Sequence, residues 1–454
     1  KKIEWVALLA PIMLLIVSNW FGALDVAHSR GLSWDVNTNG ELNSAFWTDF
    51  NIPELQNPPF ESSWIPNRGG WSWWQASRVL RDETLTGNSI EVIDEFPQFT
   101  FLLSDIHPHM LGIPFVILLI AQALNAINGG FENKWHEEQD NKRYDLLAVF
   151  LSVLSLGGIA FLNTWDFPFY LVLLATCLVY RRYQKNGWKI QRIFEFFTIT
   201  IIGGLSSVAL YLPFYLSFAS QAGGILPSLA FFTPGTNFWV MFGPLLVPIM
   251  LYLVYSFVKK NAYKNAGLAI VLTLGLFVVL FSVSWGLAWI ANGNPSNAFL
   301  LGLQGASNSR ELLVESILKR LKAPGTAITL FLIFVFSLSL LLTRVKEKEI
   351  NKPEAVGIES EKGKKSNIQI FVLFLVILGG LLLIAPEFIY LRDQFNWRMN
   401  TIFKFYFQAW ILWSIASSYA VITLFRKQKT NKRYNAVAIF LLVALGILTF
   451  AISL

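Results

Sequence analysis

Long apolar runs separated by short polar segments dominate this chain. A run of about 17–25 apolar residues is long enough to cross a bilayer as a helix. Such runs lie near 4–24, 109–128, 145–163, 167–181, 194–219, 238–258, 266–291, 325–343, 368–386, 401–425 and 434–454. The pattern predicts an all-α, polytopic transmembrane helical bundle of about 11 spans, forming one membrane domain over residues 1–454.

Composition and charge support this interpretation and orient the bundle. Hydrophobic residues make up 54% of the chain and charged residues 14%, whereas soluble domains carry about 25% charge. Of the 36 Lys and Arg residues, 25 lie in segments 1–2, 129–144, 181–193, 259–265, 344–367 and 426–433. The positive-inside rule places these segments, including the amino terminus and a solvated linker at 344–367, on the cytoplasmic side of the cell membrane. Since this topology explains the net charge of +7, no nucleic-acid partner is expected.

Two longer segments fall on the predicted outer side. The loop 25–108 is rich in tryptophan, and its Trp71, Trp73 and Trp74 favour either a sugar-stacking platform or an interfacial aromatic belt. His28 in this loop is expected to be solvated. In the loop 292–324, apolar residues recur at helical spacing between 309 and 322, opposite the charges, which predicts an amphipathic helix in the membrane surface.

Asp105, His107 and His109 form the most informative polar motif, at the start of the second span. Pro108 biases His107 toward an extended backbone, so the three side chains could share one face. Three interpretations stay open. The cluster caps and orders the loop, or one member is a general base, or the three bind a divalent metal such as Mg or Mn.

Further polar groups interrupt the apolar pattern at the predicted outer surface. Asn400, Lys404 and Gln408 recur at four-residue spacing and form one polar stripe on the tenth span. A lysine within a span costs roughly 2.5–3.5 kcal/mol on insertion scales, so Lys404 should face a cavity or an acid. The other groups are Arg78, Asp94, Glu95, Asn163, Asp166, Glu387, Asp393 and Arg398.

Two interpretations of these cations stay open. Lys404 pairs with Asp166, Glu387 or Asp393 as a buried clamp between helices, or Lys404 and Arg398 bind an anionic group such as a lipid phosphate. Arg78 could likewise pair with Asp94 or Glu95, or bind a phosphate. Under the phosphate interpretation, Arg78, Arg398, Asn400, Lys404 and Gln408 are the lipid-phosphate-binding candidates, and the acidic residues and Asn163 support them.

Three stretches resemble signature sequences of the YYY membrane protein family. They are residues 95–109 (EFPQFTFLLSDIHPH), 163–168 (NTWDFP) and 398–410 (RMNTIFKFYFQAW), and they occur in the family's order. Ser104 departs from the glycine expected before the aspartate. Family members carry further helices upstream, so the resemblance implies that amino-terminal helices are missing here. Either a partner chain supplies them, or they belong to a part of the protein outside this sequence.

The YYY family in turn resembles GT-C glycosyltransferases. This resemblance implies transfer of a sugar from a polyprenyl-phosphate donor to an acceptor on the outer face, with Asp105, His107 and His109 as catalytic candidates and the cations at the donor phosphate. The alternative is a non-catalytic integral-membrane scaffold or a subunit of a larger membrane complex. Membrane lipids are the expected partners in both cases.

Overall fold

A computed structural model describes residues 5–50, 52–66, 72–104, 106–132, 144–219, 223–293, 301–350 and 361–427. Asp105 and the predicted span at 434–454 lie outside the described residues. The structure is 71% helical and contains few strands, which confirms the predicted all-α class.

Fifteen helices follow one another in the described part of the chain. They are α1 (Leu9–Leu15), α2 (Phe21–Ser29), α3 (Ala45–Phe50), α4 (Pro97–Leu102), α5 (Pro108–Ile127), α6 (Leu146–Leu162), α7 (Phe167–Asn186), α8 (Gln191–Leu210), α9 (Leu212–Tyr215), α10 (Gly235–Lys259), α11 (Ala266–Asn292), α12 (Ser309–Lys322), α13 (Gly325–Ile350), α14 (Glu361–Ile384) and α15 (Met399–Lys427).

Three short antiparallel strand pairs join these helices. Strand β1 (Asp35–Val36) pairs with β2 (Leu42–Asn43), and β3 (Arg81–Glu83) pairs with β4 (Ser89–Glu91). Strand β5 (Ile225–Pro227) pairs with β6 (Ile389–Leu391), with Leu226 opposite Tyr390. The segment predicted as a long outer loop therefore contains ordered elements, namely short helices and two hairpins.

Seven helices of the described residues are long and apolar enough to cross a membrane. They lie in α5, α8, α10, α11, α13, α14 and α15, and they confirm seven of the predicted spans. Helix α6 is apolar but shorter. Helices α13 and α14 also extend into the segment predicted as a linker, since α13 continues to Ile350 and α14 begins at Glu361.

The predicted first span at 4–24 is not one continuous helix. Helix α1 ends at Leu15 and α2 begins at Phe21. Between them the buried Asn19 accepts a hydrogen bond from the Phe21 backbone N–H at 3.1 Å and donates to the Ala76 carbonyl at 2.6 Å. An asparagine before a helix satisfies a backbone donor that the helix leaves unpaired, so Asn19 starts a new helix here.

The chain divides into two compact units. The first unit contains residues 1–103, 221–343 and 379–454, and the second contains residues 104–220 and 344–378. In the first unit, α15 packs against α1 and α10. Aromatic rings fill the contact between α10 and α15. The centre of the Phe242 ring lies 5.2 Å from the centre of the Tyr406 ring and 5.6 Å from that of the Trp413 ring.

The second unit is built on α5, α6, α7 and α8. Helix α7 packs against α5 and α8, and α6 also contacts both of these helices. Buried Asn367 of α14 donates to the Ile127 carbonyl and to Asn128 Oδ1, both at 3.2 Å, and accepts from Gln184 at 2.6 Å. These amide contacts attach the first part of α14 to the ends of α5 and α7.

The amphipathic helix predicted at 309–322 is confirmed as α12. The side chain of Asn308 caps its first turn by accepting from the Glu311 backbone N–H at 2.9 Å. Ile317 and Leu321 are exposed, as expected for a face that meets lipid. Two of the charged residues are not fully solvated, because Lys319 and Arg320 bind backbone carbonyl groups of the first unit.

Candidate functional site

Arg398 is the centre of a buried charged cluster in the first unit. Its guanidinium binds Asp82 at 2.6 Å and Glu387 at 2.8 Å, and both Arg398 and Asp82 are fully buried. Glu387 also accepts from the Thr233 backbone N–H at 2.9 Å and from the Thr233 hydroxyl at 2.8 Å. We call Asp82, Thr233, Glu387, Arg398 and Tyr406, whose hydroxyl lies 3.2 Å from that of Thr233, the Arg398 cluster.

Every N–H hydrogen of Arg398 has an acceptor within this cluster. The Nε group binds Asp82, one terminal nitrogen binds Asp82 and the Thr233 hydroxyl, and the other binds Glu387 and the Pro386 carbonyl. A guanidinium has five donors, so none is left for a phosphate. Burial by itself lowers the pKa of Arg398, but Asp82 and Glu387 outweigh it and raise the pKa above its usual value.

Arg320 of α12 forms a second, half-buried cationic centre in the first unit. Its guanidinium donates to the carbonyl groups of Ser228, Leu229, Phe231 and Glu387. Burial lowers the pKa of Arg320 to about 10, which leaves it charged at neutral pH. Arg320 therefore attaches the segment after β5 to α12, because it satisfies the backbone carbonyl acceptors of that segment.

Asp82 and Arg320 were missed by sequence reasoning. Asp82 lies in β3, in a stretch that shows no apolar periodicity, and only the β3–β4 hairpin directs it inward. The charge of Arg320 on an amphipathic helix was a usable signal, but helical spacing alone does not tell which polar residue faces the protein. A buried clamp therefore exists, but its cation is Arg398, which had been assigned to a phosphate, and Asp82 is an unforeseen partner. The pairing predicted for Lys404 stays a prediction.

Arg78 and Asp94 occupy a neighbouring part of the first unit. Arg78 Nε donates to Glu91 at 2.7 Å, and the guanidinium lies 4.7 Å from the centre of the half-buried Trp74 ring. Pairing with Asp94 or Glu95 was one interpretation of Arg78, so its direct partner Glu91 is a correction. The other interpretation, that Arg78 binds a phosphate, stays a prediction. Buried Asp94 accepts from the Val79 backbone N–H at 3.2 Å, and burial raises the pKa of Asp94 well above its usual value although Arg78 opposes this.

The predicted polar stripe begins in the first turn of α15. Asn400 and Lys404 are half-buried and Gln408 is buried, and the Lys404 ammonium lies 4.7 Å from the centre of the Phe403 ring. Asp393 is buried nearby in sequence and accepts from the Phe395 backbone N–H at 2.9 Å. A role for this stripe in binding a lipid phosphate stays a prediction.

The histidine motif belongs to the second unit. The backbone at His107 is extended, with φ −85° and ψ 157°, as the following proline predicted, and α5 begins at Pro108. His107 is exposed and His109 is buried, and their rings stack with centres 5.6 Å apart. Ser104 has a φ of +54°, a left-handed conformation that explains why glycine suits this position.

Asn163 and Asp166 lie in the tight turn that connects α6 with α7. Asn163 ends α6, and the Asp166 backbone N–H donates to the Asn163 carbonyl at 3.0 Å. Both side chains are buried. A Cβ atom placed on Gly112, one turn beyond His109 on α5, would lie 3.6 Å from an Asp166 oxygen. Asp166 is therefore close to the first turns of α5.

The sequence candidates are thus divided between the two units. Of the candidates that the structure describes, His107, His109, Asn163 and Asp166 belong to the second unit, and the others belong to the first. Their meeting in one cavity stays a prediction. Within the described residues, no group of three or more His, Cys, Asp or Glu side chains could hold a metal ion. Because Asp105 lies outside that part of the chain, the metal interpretation of the histidine motif also stays a prediction.

The helices and their buried charges define a polytopic α-helical membrane protein. The chain belongs to the family described as Uncharacterized membrane protein (DUF2298), whose model matches residues 2–413. Comparisons with curated proteins and with solved structures found no match.

Proposed function

We propose that this chain is a GT-C-like membrane glycosyltransferase that moves a sugar from a polyprenyl-phosphate donor to an acceptor on the outer face. The observation that supports this most directly is the pair of acid–base groups in the second unit, His109 and Asp166. They are 2% and 0% exposed, at the ends of apolar helices where ionisable groups are costly. The exposed His107 stacks on His109 and provides a contact with solvent.

In the proposed reaction, an acceptor hydroxyl attacks the anomeric carbon of the donor sugar. The bond between that carbon and the phosphate oxygen breaks, and the polyprenyl phosphate leaves with the electron pair. Asp105 takes the hydroxyl proton as general base, with His107 and His109 as the neighbouring groups that can pass it on. Asn163 and Asp166 are supporting residues, and they lie in the turn between α6 and α7.

The structure changes which residues are proposed to bind the donor phosphate. Because all five N–H donors of Arg398 are used, the proposal no longer gives Arg398 that role. Lys404 remains the candidate cation, with Asn400 and Gln408 beside it on the polar stripe. A partner chain that supplies further amino-terminal helices, as the family resemblance implies, and a divalent Mg or Mn ion at the histidine motif remain parts of the proposal to be tested.

The test is sugar transfer by the purified chain in lipid nanodiscs, with a panel of tritiated polyprenyl-phosphate hexoses and hydroxyl acceptors. General-base catalysis is worth about 10²–10⁴-fold, so Asp105→Asn should reduce transfer by at least about 100-fold. The matched control is Asp35→Asn, which changes an exposed carboxylate in β1. Transfer that survives Asp105→Asn would remove Asp105 as the base.

A second candidate function is a non-catalytic scaffold or subunit of a larger membrane complex. The Arg398 cluster favours it, because an arginine with every donor satisfied holds segments together and offers nothing to a ligand. Both functions allow a partner chain, which mass spectrometry of the native assembly would identify, so transfer activity distinguishes them. A scaffold predicts no transfer activity in the intact complex with any donor of the panel.

A further inference from the structure

A partly open cavity of about 670 Å³ lies in the second unit, between α6, α7 and α8. Its lining residues recur every three or four positions, for example Leu171, Leu174, Leu178 and Arg182 on α7. Such spacing places them on one face of the helix. The cavity is therefore a groove along the helices. At 1.5 Å per residue, its wall on α8 from 191 to 206 is roughly 22 Å long.

The two ends of this groove differ in polarity. Tyr144 precedes α6, Arg182 lies near the end of α7, and Gln191 and Glu195 lie in the first turns of α8, so all four line the same end. The remaining wall is mostly aliphatic and aromatic, with the small hydroxyls of residues 152, 198 and 206. A long apolar groove with one polar end matches an amphiphile with a hydrocarbon chain.

The polar end carries an excess of positive charge. Arg182 lies 3.4 Å from Glu195 and 4.7 Å from the centre of the Tyr144 ring, and Arg192 binds the same Glu195 at 2.5 Å. Two arginines thus share one carboxylate and leave one net positive charge. The Nε group of the buried Arg192 has no acceptor within the described part of the chain. This end is therefore suited to an anion.

The groove is open at the surface of the protein, beside α8. Helix α8 is one of the membrane-span candidates, and only 6% of its apolar window is buried within the protein. Phe194 and Ile202, which line the groove, remain 67% and 59% exposed. In the predicted orientation the polar end lies on the cytoplasmic side, where anionic lipids are concentrated.

We propose that this groove binds an anionic phospholipid, with one acyl chain between α6, α7 and α8 and the phosphate at Arg182. The guanidinium of Arg182 supplies a fork of N–H donors that matches phosphate oxygens. The site is distinct from the one given to the sugar donor, which lies on the opposite predicted side. The proposal therefore stands or falls independently of the glycosyltransferase function.

The experiment measures lipids that stay bound to the full chain. The protein is reconstituted in vesicles of phosphatidylcholine and palmitoyl-oleoyl phosphatidylglycerol, extracted in mild detergent and examined by native mass spectrometry. The wild-type chain should retain phosphatidylglycerol in preference to phosphatidylcholine. Arg182→Gln should lower that preference about tenfold or more, since a hydrogen bond to a charged group contributes about 1.5–3 kcal/mol.

A second variant tests the apolar part of the groove. Gly203→Leu should abolish retention of phosphatidylglycerol, because the new side chain fills the groove. A Cβ atom at Gly203 meets only Leu171 Cδ1, at an ordinary 3.5 Å, so the backbone can accept it. The matched control is Gly275→Leu on α11, where nothing lies within 4 Å, and Arg310→Gln on the exposed face of α12 controls for charge.

Several results would overturn the proposal. They are a wild-type chain that retains no phosphatidylglycerol, equal retention of phosphatidylcholine, displacement of phosphatidylglycerol by an equimolar polyprenyl phosphate, or unchanged retention in both groove variants. Thermal unfolding confirms that each variant is folded. If Arg182→Gln does not fold, Arg182→Lys keeps the charge without the fork of N–H donors and should still lower the preference for phosphatidylglycerol. Gly203→Leu then tests the apolar part of the groove independently.

Discussion

Arg398 in the first unit and Arg182 in the second carry the same guanidinium in opposite surroundings. Arg398 is fully buried, and Asp82, Glu387, Thr233 and a carbonyl group take all of its donors. Arg182 is partly exposed at the mouth of a groove, and its 3.4 Å contact with Glu195 is shared with Arg192. The first arrangement stabilises a fold, whereas the second can still bind an anion.

A further contrast appears at two single glycine positions, one in each unit. In the first unit, a Cβ atom added to Gly379 would come within 2.3 Å of the Trp413 ring nitrogen. In the second, a Cβ atom at Gly203 would meet nothing closer than 3.5 Å. Tight packing leaves no room for a ligand, so exposed charge beside open space is a better guide to binding than buried charge alone.

The largest expected effect is the loss of stability on replacing Arg398, compared with replacing Arg182. Arg398→Gln should lower the free energy of unfolding by about 3–5 kcal/mol, because it leaves two buried carboxylates without their cation. Arg182→Gln should cost less than about 1 kcal/mol, since exposed ion pairs contribute little. Thermal and chemical unfolding of the detergent-solubilised chain measures both.

A compensating variant tests the reason for that difference. Replacing the charges together by Asp82→Leu, Glu387→Leu and Arg398→Met should recover most of the lost stability, because apolar side chains of similar size need no partner. If Arg398→Gln were as mild as Arg182→Gln, the Arg398 cluster would not be the stabilising centre of the first unit.

Two glycine substitutions compare the packing at these two positions. Gly379→Ala should destabilise by about 1–3 kcal/mol, because the Trp413 ring has to move. Gly203→Ala should be neutral, or stabilise by up to about 1 kcal/mol through the better helix propensity of alanine. Unfolding midpoints of the two variants, each measured against wild type, give the comparison, and equal effects would contradict it.

Asp94 is a buried acid of the first unit, and its replacement gives the smallest expected effect. One of its oxygens is buried without a hydrogen bond among the described residues, and burial raises the pKa of Asp94 above its usual 3.8. The folded state therefore favours the protonated acid. The resulting stabilisation is complete below that usual value and is lost as the pH rises through the folded-state pKa.

Asp94→Asn should therefore raise the unfolding temperature at pH 7, by an amount equivalent to about 1 kcal/mol, and change it little below pH 4. The amide retains an oxygen for the Val79 backbone N–H and carries no charge. Unfolding scans from pH 3.5 to 7.5 measure the effect. A gain that shrinks as the pH rises would show that Asp94 is stabilised as the anion.

The sequence identified the apolar helices better than their ends or the partners of their charges. Helix α12 was predicted with its bounds, because a 3.6-residue repeat is a local property. The break at Asn19 was not predicted, since the Ala76 carbonyl that holds this side chain is distant in the chain. For the same reason His28, expected in solvent, is buried between Trp34 and Trp47, and its Nε2 lies 2.7 Å from the Asn57 carbonyl.

By itself the sequence determined that the chain is an α-helical membrane protein, because the bilayer imposes length and polarity on every span separately. It also indicated which charged residues are costly and hence worth explaining. Only the tertiary structure decided that Arg398 binds Asp82 while Arg182 stays at an open groove. The choice of partner depends on which distant segments a fold brings within hydrogen-bond distance, and no local repeat in the sequence encodes that distance.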